Sequence, residues 1–230
     1  MSAGIFKFCP ACASGKIGFE SGKLFRCPDC GFEYYQNIAA ATGCVISASP
    51  APALPAQANG AGGIGRAGSR AEEGGANNGP DSGADSSAGG ERILFLVRGK
   101  EPAKGRLDLP GGFVDIGEGA LEGLRRELLE EIGWAPEVPP GASLAEAFAL
   151  FASFPNAYPY KGVLYNTCDL YFCVSAPGLS AADLTLERSE IAGARFLSPE
   201  EIDFGEIAFD STRRAVEAYL SRPRVKTREF

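Results

Sequence analysis

The sequence predicts an α/β domain preceded by a small four-cysteine module. Three observations carry this expectation. Short apolar runs rich in β-branched and aromatic residues alternate with segments of helical periodicity. Two Cys-x-x-Cys pairs, Cys9/Cys12 and Cys27/Cys30, fall within the first 30 residues. A length of 230 residues and an apolar fraction of 45% allow one ordinary domain with a real core, plus a small module.

Residues 1–37 form the module. Fourteen residues separate Cys12 from Cys27. Two such knuckles bring four thiolates into a tetrahedron, which suits structural Zn²⁺. So short a segment has little core, and metal binding would supply its folding free energy. The remaining cysteines, Cys44, Cys168 and Cys173, sit in strand-like contexts and are expected to be buried. An odd total of seven argues against a disulfide framework, so a reducing, cytoplasmic setting is expected. The N-terminus lacks the apolar stretch of a signal peptide, and no run is long enough to span a membrane. No membrane partner is expected.

Residues 38–222 are read as the main domain. Residues 38–47 predict a strand, since Ala40, Thr42, Val45 and Ile46 suit a pleated surface. Residues 48–90 are dominated by Pro, Ala, Gly and Ser, and Ile64 is nearly the only large apolar residue after Leu54. Such a stretch buries too little to offset its ordering entropy, and a disordered low-complexity insertion is predicted. Residues 92–97 predict the next strand, so the insertion expands a hairpin turn. Closure entropy grows slowly with loop length, which makes this tolerable.

A glycine-rich turn follows over 108–117. Residues 118–132 predict a helix, stopped by Gly133. Strands are predicted over 144–153, 163–174 and 194–197. Ser198-Pro199-Glu200-Glu201 reads as a helix start. Residues 210–221 predict a terminal helix, with Ala215, Val216, Tyr219 and Leu220 at helical spacing. Residues 223–230 are a tail.

Composition narrows the chemistry. There is no His, which excludes imidazole bases, Ser-His triads and His-ligated metals. A net charge of -7 argues against a broad nucleic-acid or membrane surface. Glu127, Glu130 and Glu131 share a helix face by their spacing and repel one another. A hard cation offsets that repulsion. Mg²⁺ takes oxygen ligands and usually keeps waters and substrate phosphates, so the face suits a phosphate-bridging metal site. Taken alone, an acidic run is also an ordinary solvated face.

The context is more specific. The pattern reads Gly112, five residues, Glu118, seven residues, Arg126-Glu127-Leu128, one residue, Glu130-Glu131, one residue, Gly133-Trp134. It resembles the signature of the Nudix hydrolase family at every position. The resemblance implies an α/β/α sandwich around a mixed sheet, using Mg²⁺ or Mn²⁺ to hydrolyse pyrophosphate linkages. It implies that Glu127, Glu130 and Glu131 bind metal and serve catalysis, with the Gly111 carbonyl as a further ligand. Glu118 and Arg126 match positions that brace the loop against the helix, and Leu128 and Trp134 match packing positions. Glu190 matches a later metal ligand. Either Glu127 or Glu190 is then the candidate base.

A zinc ribbon ahead of such a domain resembles the NADH pyrophosphatase branch of that family. Tyr35, after Cys30-Gly31, matches a nucleotide-contacting tyrosine of the branch. The branch carries an SQPWPFPxS motif after the signature. Here the comparable place reads Ser153-Phe154-Pro155-Asn156-Ala157-Tyr158-Pro159-Tyr160. Ser153, Asn156, Tyr158 and Tyr160 are expected to form a substrate loop, but the departure leaves the substrate open. NADH, ADP-ribose or a similar nucleoside diphosphate derivative is expected, with capped RNA and nucleoside triphosphates as further options. Related ribbon-bearing enzymes dimerise, so the resemblance admits a homodimer. The alternative is a nucleotide-sensing or nucleic-acid-binding module without turnover. The intact glutamates and the balanced charge of the ribbon count against it.

Overall fold

The computed structural model describes residues 5–49 and 90–222, with the backbone alone at residue 160. The predicted insertion, except at its two ends, and the tail 223–230 lie outside the described residues.

The cysteine module is a three-stranded antiparallel sheet of β1 (Gly18–Glu20), β2 (Leu24–Arg26) and β3 (Glu33–Tyr35), in that order. Its core is small. Phe25 is buried with the Phe19 and Phe6 rings at 4.4 and 4.9 Å, and Leu24, Cys9 and Cys27 complete it.

The larger sheet contains β4 (Ala39–Ala48), β5 (Arg92–Arg98), β6 (Leu107–Asp108), β7 (Ala149–Tyr160), β8 (Val163–Ser175) and β9 (Ile191–Leu197). The order is β6-β5-β4-β8-β7, with β9 also paired to β5. β4 runs parallel to β8 and the other pairings are antiparallel, so the sheet is mixed. Helices α1 (Ala120–Ile132) and α3 (Asp210–Leu220) cover its two faces, and a single turn, α2 (Leu144–Ala147), precedes β7.

The strand period of two explains the layers. Cys44, Ile46, Leu94, Leu96, Phe172 and Val174 point to one side, onto Leu124, Leu128 and Ile132 of α1. Val45, Ile93, Phe95, Tyr171 and Leu197 point to the other, onto Ala215 and Val216 of α3. Both faces are apolar, so both need cover, and the result is the expected α/β/α sandwich. Each fully buried Leu or Ile contributes about 1.5–3 kcal/mol relative to exposure.

Several expectations change. Residues 144–153 do not form one strand. Leu144–Ala147 is helical because Leu-Ala-Glu-Ala favours helix and the Glu146 carboxylate accepts from the Ser143 N–H at 3.1 Å. The strand begins at Ala149 and runs on through the predicted substrate loop to Tyr160. Pro155 and Pro159 are tolerated there because β7 is the sheet edge. α1 starts at Ala120 rather than Glu118, since Gly119 is the extended N-cap and donates to the Glu122 carboxylate at 2.7 Å. β9 starts earlier than expected, at Ile191. Ser198-Pro199 opens only a short 3-10 turn, Pro199–Glu201. Ala48 belongs to β4 and is buried, so the strand outlasts the predicted boundary. Cys44 is buried as expected, whereas Cys168 and Cys173 are only half-buried.

One irregularity builds the site. β4 and β5 pair only through Ser47↔Ile93 and Ala48↔Arg92 and then diverge. Residues 110–114 fill the gap against β4, with Cys44, Thr42 and Val114 donating to Pro110, Gly112 and Ala40 carbonyls at 2.8–3.1 Å.

Candidate active site

Close packing dictates glycine in this gap. A Cβ on Gly111, whose φ is 140°, would meet the Thr42 carbonyl oxygen at 2.2 Å. A Cβ on Gly112 would meet the Glu127 carboxyl group at 2.5 Å. The chain therefore runs directly beneath the acidic helix. The Gly111 N–H donates to Glu131 Oε2 at 2.9 Å.

Leu124, Leu128 and Ile132 anchor the inner face of α1, and Trp134 packs against the same cluster. This rotation turns Glu127 and Glu131 into a cavity of about 340 Å³. Glu130 is more exposed and lies outside the cavity lining. Arg126 ties the helix to the glycine-rich loop. Its Nε and Nη2 donate to the two Glu118 oxygens at 2.8 and 3.1 Å, and Nη2 also reaches the Phe113 carbonyl at 3.0 Å. Nη1 bridges Glu127 at 2.9 Å and Glu130 at 3.0 Å. Glu118 is consequently held below its ordinary carboxylate range, chiefly by Arg126.

Burial acts the other way on the cavity carboxylates. Desolvation pushes Glu131 up to about 8, against the Gly111 N–H, with Asp108, Glu127 and Glu190 adding repulsion. Desolvation also raises Glu127, opposed by Arg126. Glu190, just before β9, lines the same cavity and is ion-paired with Lys100. These carboxylates do not form a closed cage. Among the described residues, the four ribbon cysteines alone bring three or more ligand atoms within 4.8 Å of one another. An open arrangement still suits Mg²⁺, which needs only one or two carboxylates beside waters and substrate phosphates.

The cavity has another kind of wall. Phe113, Tyr158 and Phe209 line it, with Tyr158 edge-on to Phe113 at 5.8 Å and 5.5 Å from Phe209. Asn156 lines it beside them. Arg98 donates to Asp108 at 3.0 Å, the Pro102 carbonyl at 2.8 Å and the Tyr158 hydroxyl at 3.4 Å. Thr167, Asp169, Tyr171 and Thr212 form a polar floor. Asp108 is raised by burial, with Arg98 and Thr212 opposing.

The structure thus gathers Gly111, Glu127, Glu131, Glu190, Asn156 and Tyr158 around one cavity. Glu118, Arg126 and Glu130 adjoin it through the arginine hub. Ser153 is exposed and Tyr35 remains exposed in the ribbon, and neither lines the cavity. The sequence reading missed Arg98, Lys100, Asp108, Phe113, Asp169 and Phe209. Asp169 did leave a signal, since it is the one charged residue of β8.

In the ribbon, Cys9 and Cys30 Sγ lie 3.6 Å apart, and Cys12 and Cys27 Sγ lie 3.7 Å apart. A tetrahedron with Zn–S arms of about 2.3 Å has edges of about 3.8 Å. The four thiol groups therefore fit zinc in both chemistry and spacing. The residue after each second cysteine, Ala13 or Gly31, is left-handed, which closes each knuckle.

The NUDIX domain family matches residues 86–218, more than half of the chain. The chain belongs to the Nudix family. The Nudix match leaves out β4, which the insertion separates from the rest of its sheet. An ADP-ribose pyrophosphatase of Methanocaldococcus jannaschii is 47% identical over 47 residues, which is 20% of this chain and 28% of that protein. The match therefore spans little more than a quarter of that relative. Among solved structures, a NUDIX hydrolase from Nitrosomonas europaea is 20% identical with a TM-score of 0.49, over 94% of this chain and 90% of that one. The NUDIX domain of Shewanella oneidensis NrtR, complexed with ADP ribose, is 13% identical with a TM-score of 0.46, over 81% and 89%. No helix among the described residues is long and apolar enough to cross a membrane.

Proposed function

We propose that this Nudix chain hydrolyses the pyrophosphate linkage of a nucleoside diphosphate derivative, ADP-ribose or NADH being the first candidates. The observation that carries the reading is a cavity lined both by Glu127, Glu131 and Glu190 and by Phe113, Tyr158, Phe209 and Asn156. Carboxylates suit a cation on the diphosphate, and flat rings with an amide suit a base. Its volume of about 340 Å³ falls in the range of roughly 300–1,000 Å³ usual for small-molecule sites.

Glu127, Glu131, Glu190 and the Gly111 carbonyl would hold Mg²⁺ or Mn²⁺, with Glu130 at the rim. When bound, the cation supplies Lewis-acid polarisation of a phosphoryl oxygen and a more acidic water. Arg126 keeps Glu127 and Glu130 in place by sharing one nitrogen between them. Either Glu127 or Glu190 would take the proton of the attacking water. Lys100 offers a positive group to the phosphates beside them. Structural Zn²⁺ in the ribbon and a cytoplasmic setting belong to the same proposal.

The test is product analysis. Purified, zinc-loaded protein with Mg²⁺ is given ADP-ribose, NADH, FAD, UDP-glucose and GDP-mannose. The expected result is hydrolysis of at least one at its pyrophosphate, for instance ADP-ribose to AMP and ribose 5-phosphate, with loss of turnover in Glu131→Gln. Folded protein that cleaves none of them would move the chain to the sensing or binding reading.

A further inference from the structure

The cavity floor contains a carboxylate that the hydrolytic reading does not use. Asp169 is only 7% exposed. Removing an ionised carboxylate from water costs several kcal/mol unless cations or hydrogen bonds replace the hydration. No ion pair is made by Asp169 among the described residues, and the guanidinium of Arg98, which lines the same cavity, pairs with Asp108 and bonds Pro102 and Tyr158 instead. Its partners are two hydroxyls. Thr167 donates to Oδ1 at 2.5 Å and Ser211 donates to Oδ2 at 2.7 Å. Ser211 in turn accepts from the Tyr171 hydroxyl at 3.0 Å, so this chain of donors points toward the carboxylate and fixes it as an acceptor.

An ionised carboxylate has about four acceptor positions. Two are filled, one on each oxygen, which leaves one on each oxygen for an occupant of the cavity. β4 forms the neighbouring wall of the cavity through Ala41, the ladder partner of Asp169, and Gly43, that of Tyr171. A Cβ on Gly43 would strike the Tyr171 ring at 2.8 Å, so glycine there seats the ring whose hydroxyl donates to Ser211. The aromatic set and Asn156 border the same space.

We infer that this floor is a nucleobase subsite in which Asp169 accepts two adjacent N–H bonds from the base edge, as guanine presents through N1–H and its 2-amino group. Adenine alternates a donor with an acceptor there, and its ring nitrogen would face a carboxylate oxygen. Hypoxanthine supplies one donor. The inference rests on the nucleotide reading of the cavity and narrows it, favouring a GDP derivative over ADP-ribose and NADH as the substrate.

Binding of nucleoside monophosphates separates the subsite from turnover, because they contain no anhydride to cleave. Calorimetry on the full-length protein would compare GMP, IMP and AMP. GMP is expected to bind about tenfold or more tightly than IMP, which lacks only the 2-amino group. In Asp169→Asn the gap between GMP and IMP is expected to close. Equal GMP and IMP affinities in the wild type, or no binding of any of the three, would overturn the inference, as would a folded Asp169→Asn protein that keeps the preference. The wild-type comparison stands even where the variant misfolds. Failure to hydrolyse any diphosphate derivative would sink the enzymatic reading while leaving this result intact.

Discussion

At the residue scale, Glu131 has the most consequential environment. Its pocket holds it near 8, against an ordinary 4.5. Between those values the folded chain binds a proton that the unfolded chain has released. Stability therefore falls as pH rises through that window, and the loss is complete above the folded value. Without added divalent cation, the Tm is expected to fall between about pH 5.5 and 8 by this linkage. Mg²⁺ must displace the same proton, so its stabilising effect is expected to grow over the same range. Glu131→Gln should weaken both dependences, leaving the part that Glu127 and Asp108 contribute, without loss of Tm, since a neutral amide still accepts from the Gly111 N–H. Turnover should drop by roughly 10²–10⁴-fold. Thermal melts across pH with and without Mg²⁺ check this, and an unaltered pH dependence in the variant would rule it out.

At the scale of the element, α1 and its preceding loop act as one unit because one guanidinium joins them. Lys in place of Arg126 keeps the charge but cannot reach both Glu118 oxygens, the Phe113 carbonyl and two further carboxylates together. Arg126→Lys is expected to lose about 1–3 kcal/mol of stability, as hydrogen bonds to charged groups are lost. Displacing Glu127 should lower turnover by roughly 10²-fold. Denaturant melts and steady-state kinetics check both, and wild-type kcat in this variant would exclude a positioning role. The helix itself was legible because its information is local. Glu127 and Glu131 are one turn apart in sequence and in space, and Gly133 ends the helix in the left-handed conformation, with φ of 66°. The second half of β7, beyond Ser153, was not legible. Its two prolines resemble a loop until its place at the sheet edge is known, and that place is set by β8 rather than by its own residues.

At the scale of the whole molecule, the layers followed from alternation, but the cavity did not. Its lining runs from Ala41 to Thr212 and draws on both helices' neighbours and the splayed strands, so no window of sequence contains it. Tyr35 and Ser153, inferred from motif position alone, stand outside it for the same reason. The cysteine cluster of the ribbon is the opposite case, legible from the spacing of four residues, and the small core beside it gives the last prediction. Phe25, Leu24, Cys9 and Cys27 are nearly all that the ribbon's three short strands bury. So small a core is expected to depend on a metal crosslink through the four cysteines. The larger sheet has its own two cores on α1 and α3 and needs no such link. Zinc removal by a thiol-compatible chelator is therefore expected to unfold the ribbon while the sandwich stays folded. Hydrogen exchange would show it as lost protection over residues 18–35, with β4, β5 and β8 still protected. Cys12→Ser should reproduce the pattern. Loss of protection throughout the larger sheet would mean that the ribbon supports the sandwich, and the two cores would have to be treated as one cooperative unit.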